Sequence, residues 1–316
     1  MAIFKDYLEN KSPLILHGAL GTEMESLGYD ISGKLWSAKY LLDKPEVIQK
    51  IHETYVAAGS DLITTSSYQA TLPGLIDAGL TEKEAEQIIA LTVQLAKNAR
   101  DKVWATLDDS EKANRPYPLI SGDVGPYAAY LANGSEYTGD YGQIIIEALK
   151  EFHRPRIQIL LDHGVDLLAL ETIPNYLEAQ ALIELLAEEF PEAEAYISFT
   201  VQEPGTISDG TSLDEIAQLV AQSDQILALG INCSSPLLYN QALAILKNAG
   251  KALITYPNSG EVYDGSTQTW KPKDKDALTL VEHSKDWHTQ FGVKILGGCC
   301  RTRPNDIKAL YAEFRT

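Results

Sequence analysis

Lys294-Ile-Leu-Gly-Gly-Cys-Cys-Arg-Thr-Arg-Pro304 reads as a short apolar strand, a glycine break, a pair of cysteines and a proline that opens a helix. Pro304 and Asn305 carry the start signal of that helix. Gly230-Ile-Asn-Cys-Ser-Ser-Pro236 has the same grammar: an apolar strand, a polar residue at its end, then Cys233. Working outward, short apolar runs alternate with longer amphipathic stretches along the whole chain, the pattern of parallel βα units. Strands are expected near Leu14–His17, Asp61–Thr65, Leu119–Asp123, Leu167–Glu171, Ala195–Thr200, Ile226–Asn232, Ala252–Tyr256 and Lys294–Gly297. Helices are expected near 45–58, 82–101, 140–163, 176–188, 213–222, 236–249, 275–290 and 304–314. Eight such units predict an α/β fold, a (β/α)8 TIM barrel, with a doubly wound sheet as the runner-up. No linker or low-complexity tract interrupts the pattern, so residues 1–316 are read as one domain. The stretches Leu20–Lys44 and Gly125–Gly139 lack clear periodicity and are expected to be long βα loops.

Bulk properties narrow the function. The chain has 316 residues, 45% of them hydrophobic, enough for one large α/β domain. A formal net charge of −18 disfavours nucleic acid and anionic membrane surfaces as partners. It is compatible with a small cationic or zwitterionic substrate. No run of about 18 apolar residues offers a membrane span. The first residues scatter charges where an export signal needs an apolar core. With three cysteines, an odd number, the expectation is a reducing, cytoplasmic setting and not a disulfide framework.

Polar residues gather where the expected strands stop: His17, Thr65, Ser66, Asp123, Glu171, Thr200, Cys233, Tyr256, Asn258, Cys299 and Cys300. In a barrel they share one rim, the face on which this architecture carries its chemistry. Adjacent residues of a regular strand point to opposite faces, so Cys299 and Cys300 converge only if the chain leaves the extended form, which Gly297-Gly298 permits. Three thiols at strand ends can hold a tetrahedral Zn²⁺ with one position open, as in catalytic sites. The plainer alternative is that each cysteine is a small buried hydrophobe. Glu171 and Asp123 each admit two readings as well: a grip on a substrate ammonium, or a cap for the following helix. The acidic, tyrosine-rich stretch from Tyr127 to Tyr141 suits a cationic ligand or an ordinary packed loop. No Walker loop, dinucleotide fingerprint, HExxH motif or nucleophile elbow is present.

These residues resemble the homocysteine S-methyltransferases, and most of all the branch that uses S-methylmethionine. The matching stretches are Gly18-Ala-Leu-Gly-Thr-Glu23, Leu35-Trp-Ser-Ala38, Ser67-Tyr-Gln-Ala70, Gly125-Pro-Tyr127, Gly134-Ser-Glu-Tyr137, Glu171-Thr-Ile-Pro174, Ser198-Phe-Thr200, Gly230-Ile-Asn-Cys233, Tyr256-Pro-Asn-Ser-Gly-Glu261 and Gly297-Gly-Cys-Cys-Arg-Thr302. The resemblance implies a zinc-dependent barrel enzyme moving a methyl group from a methylsulfonium donor to homocysteine. It implies that Cys233, Cys299 and Cys300 bind the zinc, and that Glu171, with His17, Gly18 and Asn232, forms the homocysteine site. One departure stands out: the family pattern has an aspartate where this chain has His17, which is expected to weaken the grip on the ammonium. Methyl transfer to a selenol acceptor, selenocysteine or selenohomocysteine, is an alternative. So is a zinc-dependent hydrolase on the same barrel, although no base for it is evident. A homo-oligomer is compatible with the sequence.

Overall fold

The computed structural model describes residues 3–33, 35–264, 269–271 and 277–315. Eight parallel strands form one sheet: β1 (Leu14–Ile15), β2 (Leu62–Thr64), β3 (Leu119–Val124), β4 (Leu167–Ile173), β5 (Ala195–Phe199), β6 (Ile226–Asn232), β7 (Ala252–Tyr256) and β8 (Ile295–Leu296). Neighbours in sequence are neighbours in the sheet, and β8 lies between β7 and β1. The ring closes between β1 and β2 through the Leu16–Leu62 bridge and an Asp61 N–H to Ile15 C=O bond of 2.6 Å. The barrel expected from the alternating pattern is therefore the observed fold.

Each strand is followed by a helix in the outer layer: α1 (Pro45–Ala58), α2 (Glu82–Thr106), α3 (Ile146–Asp162), α4 (Tyr176–Glu189), α5 (Leu213–Ala221), α6 (Tyr239–Leu246), α7 (Leu280–Phe291) and α8 (Pro304–Phe314). Local chemistry sets several of their starts. Thr81, Ser212 and Thr279 cap α2, α5 and α7, each answered by a glutamate three residues on. Lys275 and Asp276, where the seventh helix was expected to begin, lie outside the described residues, as do Met1, Ala2 and Lys34. The third helix starts at Ile146 and not at 140, because Gly139 and Gly142 both adopt positive φ and keep the chain in turns. The stretch Leu20–Lys44 contains short helices at Leu20–Ser26 and Lys39–Asp43, too brief to show a period in sequence.

Two cores follow from the period-two alternation of the strands. Leu14, Leu16, Leu62, Leu119, Leu167, Ala169, Tyr196, Ala228, Ile254 and Ile295 fill the barrel interior. Ile15, Ile63, Ile120, Leu168, Leu170, Ile197, Leu229 and Leu253 face the helices instead. The helix Ile3–Leu8 sends the fully buried Phe4 into the interior cluster, and its backbone N–H bonds the Glu194 carboxylate at 2.8 Å. Going up each strand, the same inward parity reaches polar residues: Thr64, Ser121 and Asp123, Glu171, Ser198, Asn232 and Tyr256. The interior thus changes from aliphatic to polar toward the C-terminal ends of the strands.

Candidate active site

The three cysteines meet at that polar end. Their Sγ atoms lie within 4.8 Å of one another, with Cys233 and Cys300 at 3.5 Å. All three are half-buried. Cys233 follows β6 in a left-handed conformation, φ 49°, and its N–H donates to the Tyr256 carbonyl at 3.2 Å. After β8 the chain turns sharply, so that neighbours that would diverge on a strand converge. Thr302 donates its Oγ1–H to the Cys299 carbonyl at 2.6 Å, and Arg301 takes φ 66°. A Cβ on Gly298 would collide with the Thr302 side chain, and one on Gly297 would come within 2.7 Å of Leu16, so the turn needs both glycines. The segment after β7 joins the two cysteine loops: Cys299 N–H donates to Pro257 C=O at 2.7 Å, Ser259 N–H to Cys300 C=O at 3.0 Å, and Asn258 N–H to Ser234 C=O at 3.1 Å.

Three sulfurs so close share protons unequally. Hydrogen bonds from Cys233 and Cys299 hold the Cys300 thiol well below the usual thiol range. Cys233 is pushed up by its bonds to Cys299 and Cys300 and by burial. A cluster of soft donors biased toward one thiolate suits a thiophilic cation such as zinc, and the spacing lets one ion reach all three sulfurs.

Glu171 sits at the inward position near the end of β4, 9% exposed. The Tyr256 hydroxyl donates to its Oε2 at 3.1 Å and is itself hydrogen-bonded to Ser198. Burial raises the Glu171 carboxyl to about 7. The next residue, Thr172, takes φ 64°, a left-handed geometry unfavourable for a β-branched side chain. Asn232 holds it there: Oδ1 accepts from Thr172 N–H at 3.0 Å and Nδ2 donates to Thr172 Oγ1 at 2.8 Å. Asn232 thus reaches across from β6 to fix the end of β4, and both ends of its amide are engaged by Thr172.

The other expected site residues are placed differently. Gly18 is buried where a Cβ would stand 3.0 Å from the Tyr55 ring and 3.1 Å from Thr302 Oγ1, so it serves close packing. His17 comes after inward-facing Leu16 and takes the opposite parity. Its ring lies edge-on to Tyr55 of α1, centroids 6.0 Å apart, and its Nδ1 is 2.5 Å from the Gly18 carbonyl oxygen. Burial lowers its pKa. The imidazole is therefore turned toward α1, whereas Glu171 faces the barrel interior.

The tyrosine-rich loop splits by role. Tyr127, Tyr130, Tyr141 and Phe152 pack against one another, and Tyr141 donates to Glu178, whose other oxygen meets His153. Glu136 behaves differently. It accepts from the buried Tyr68 hydroxyl at 2.9 Å, and burial and the Cys300 charge raise its pKa. Tyr68 and Glu136 thus belong to the sulfur-bearing end of the barrel, a pairing that spacing in sequence does not reveal.

Comparison with known proteins gives the same picture. A family profile described as homocysteine S-methyltransferase matches residues 14–314. The chain is 44% identical to Homocysteine S-methyltransferase YbgG of Bacillus subtilis, covering 96% of this chain and 95% of that one. It is 40% identical to the selenocysteine methyltransferase of Astragalus bisulcatus, over 94% of this chain and 91% of the relative. Among solved structures, the metallated form of the homocysteine methyltransferase MmuM from Escherichia coli superimposes with a TM-score of 0.85 at 41% identity, covering 98% of both chains.

Proposed function

This chain belongs to the homocysteine S-methyltransferase family and is a methyltransferase acting on homocysteine; from that premise we propose that it takes the methyl group from S-methylmethionine and works with one zinc ion held by Cys233, Cys299 and Cys300. The observation that carries the reading is the convergence of the three sulfurs beside the buried Glu171 at the C-terminal end of the barrel. Zinc, when bound, favours the thiolate form of a sulfur ligand, and the thiolate is the nucleophile of methyl transfer.

The side chains then divide the remaining work. Glu171, as a carboxylate, holds the acceptor's ammonium, and the Tyr256 hydroxyl orients it. Glu136 and Tyr68 supply negative charge and an aromatic face for a sulfonium, whose positive charge disappears as the methyl leaves. The departing thioether is neutral, so no general acid is required. What the protein must provide is alignment of the attacking sulfur, the methyl carbon and the leaving sulfur.

The test is competition among equal concentrations of methyl-labelled S-methylmethionine, S-adenosylmethionine and betaine, with homocysteine as acceptor, run beside metal analysis. Label should enter methionine chiefly from S-methylmethionine, and each Cys→Ala variant should lose both zinc and turnover. Label chiefly from betaine would overturn the donor assignment. A Cys300→Ala protein with full zinc and normal turnover would overturn the metal assignment. Selenocysteine run as a rival acceptor reports how far acceptor choice extends toward the Astragalus relative.

A further inference from the structure

We propose that Asp123 is a second carboxylate anchor for the ammonium group of the acceptor amino acid, acting beside Glu171 from the neighbouring strand. This deepens the proposed function and rests on Glu171 being the ammonium site.

The backbone of Asp123 is fully committed. Its N–H donates to Thr65 Oγ1 at 2.9 Å, and its carbonyl accepts from Ser67 Oγ at 2.8 Å. Its side chain caps no helix, since the helix Tyr127–Leu131 starts at Pro126 without a side-chain cap. The residue is only 4% exposed, yet Oδ1 has no hydrogen-bond partner among the described residues. A buried carboxyl oxygen without a donor is costly and calls for a partner.

Geometry says where that partner belongs. Leu119, Ser121 and Asp123 share the inward parity of β3, and β3 pairs with β4 so that Asp123 stands beside Ala169. Glu171 is the next inward residue on β4, one step above Ala169, so the two buried carboxyls face the same interior from adjacent strands, and the Glu171 charge helps push Asp123 up. Two acids so placed cannot both ionise unless a cation joins them.

Among the described residues Arg156 is the cation that attracts Asp123 electrostatically. Its guanidinium nevertheless bonds the Ser67, Tyr68 and Gly125 carbonyls and the His153 ring. Arg156 is also drawn to the fully buried Glu178, so its single charge is divided and does not neutralise the Asp123–Glu171 pair. An ammonium has three donors and can meet Asp123 Oδ1 and Glu171 together. The first strand supplies no such acid here, because position 17 is a histidine turned toward α1.

The experiment compares homocysteine with 4-mercaptobutyrate, the same thiol acid without the amino group, on zinc-loaded wild type, Asp123→Asn and Glu171→Gln. Asp123→Asn should raise the homocysteine KM at least tenfold, with zinc content and the donor KM unchanged. Its loss of kcat/KM should be at least tenfold smaller with 4-mercaptobutyrate than with homocysteine, a selectivity that general damage to the barrel would not produce. Asp123→Ser serves the same comparison where the asparagine variant does not fold. Equal losses on both acceptors, or an unchanged homocysteine KM, overturn the proposal. If Glu171→Gln discriminates between the acceptors while Asp123→Asn does not, Asp123 alone is wrongly assigned. If neither discriminates, the ammonium site itself is misplaced.

Discussion

Three non-glycine residues at the site, Thr172, Cys233 and Arg301, hold left-handed φ values of 64°, 49° and 66°. Such backbone costs on the order of 1–3 kcal/mol per residue and persists only where surrounding bonds over-determine it. For Thr172 that bond set is the Asn232 amide. Asn232→Ala removes both contacts and leaves the Thr172 N–H without its acceptor, so about 2 kcal/mol of stability should be lost. The freed end of β4 should also displace Glu171 and raise the homocysteine KM. Denaturant unfolding and steady-state kinetics check the two effects, and a variant with wild-type stability would show that the clamp carries no strain. The cysteines and Glu171 were legible in sequence because each ends an apolar strand, and strand ends in this fold share one rim. The Asn232–Thr172 clamp was not legible, because it joins β6 to β4 across an intervening strand. Nor was the direction of His17, which depends on counting parity from a two-residue strand.

At the scale of elements, the alternating pattern located all eight strands, since each is a short apolar run with a polar end. What it missed are pieces too brief to carry a period, among them the helices Leu20–Ser26, Lys39–Asp43, Leu72–Asp77, Asp109–Ala113 and Tyr127–Leu131, the antiparallel pair Val262–Asp264 and Thr269–Lys271, and the helix Ile3–Leu8. The last has a clear physical role. An eight-stranded barrel fills its own interior, but its N-terminal mouth needs a cover. Phe4 provides one, fully buried with Leu14, Leu62, Leu119 and Leu167. Phe4→Ala should cost roughly 3–5 kcal/mol, the usual loss for a buried aromatic. Because it lies at the opposite end from the sulfurs, zinc content and the homocysteine KM should not change in the protein that remains folded. A large change in KM with no change in stability would contradict the separation of a structural end from a chemical end.

For the whole molecule, the proposed ammonium site buries two acids, Glu171 and Asp123, in a chain whose formal charge is already −18. That arrangement trades stability for binding. Burial raises Glu171 from an ordinary value of 4.5 to about 7, and burial together with the Glu171 charge pushes Asp123 well up. The folded state therefore favours the protonated acid more than the unfolded chain does. This contribution to stability is fully present below about pH 4.5 and is lost as pH rises through about 7. Glu171→Gln removes the ionisation while keeping the shape. Its stability relative to wild type, measured by denaturant unfolding without substrate, should be near parity at pH 5. At pH 8 the variant should be more stable, by on the order of 1–3 kcal/mol. Saturating homocysteine at pH 8 should narrow the gap, because an ammonium between the carboxylates stabilises only the wild-type pair. A difference that stays constant from pH 5 to pH 8 would show that Glu171 is not strained by ionising, and that its burial serves packing instead of a cation.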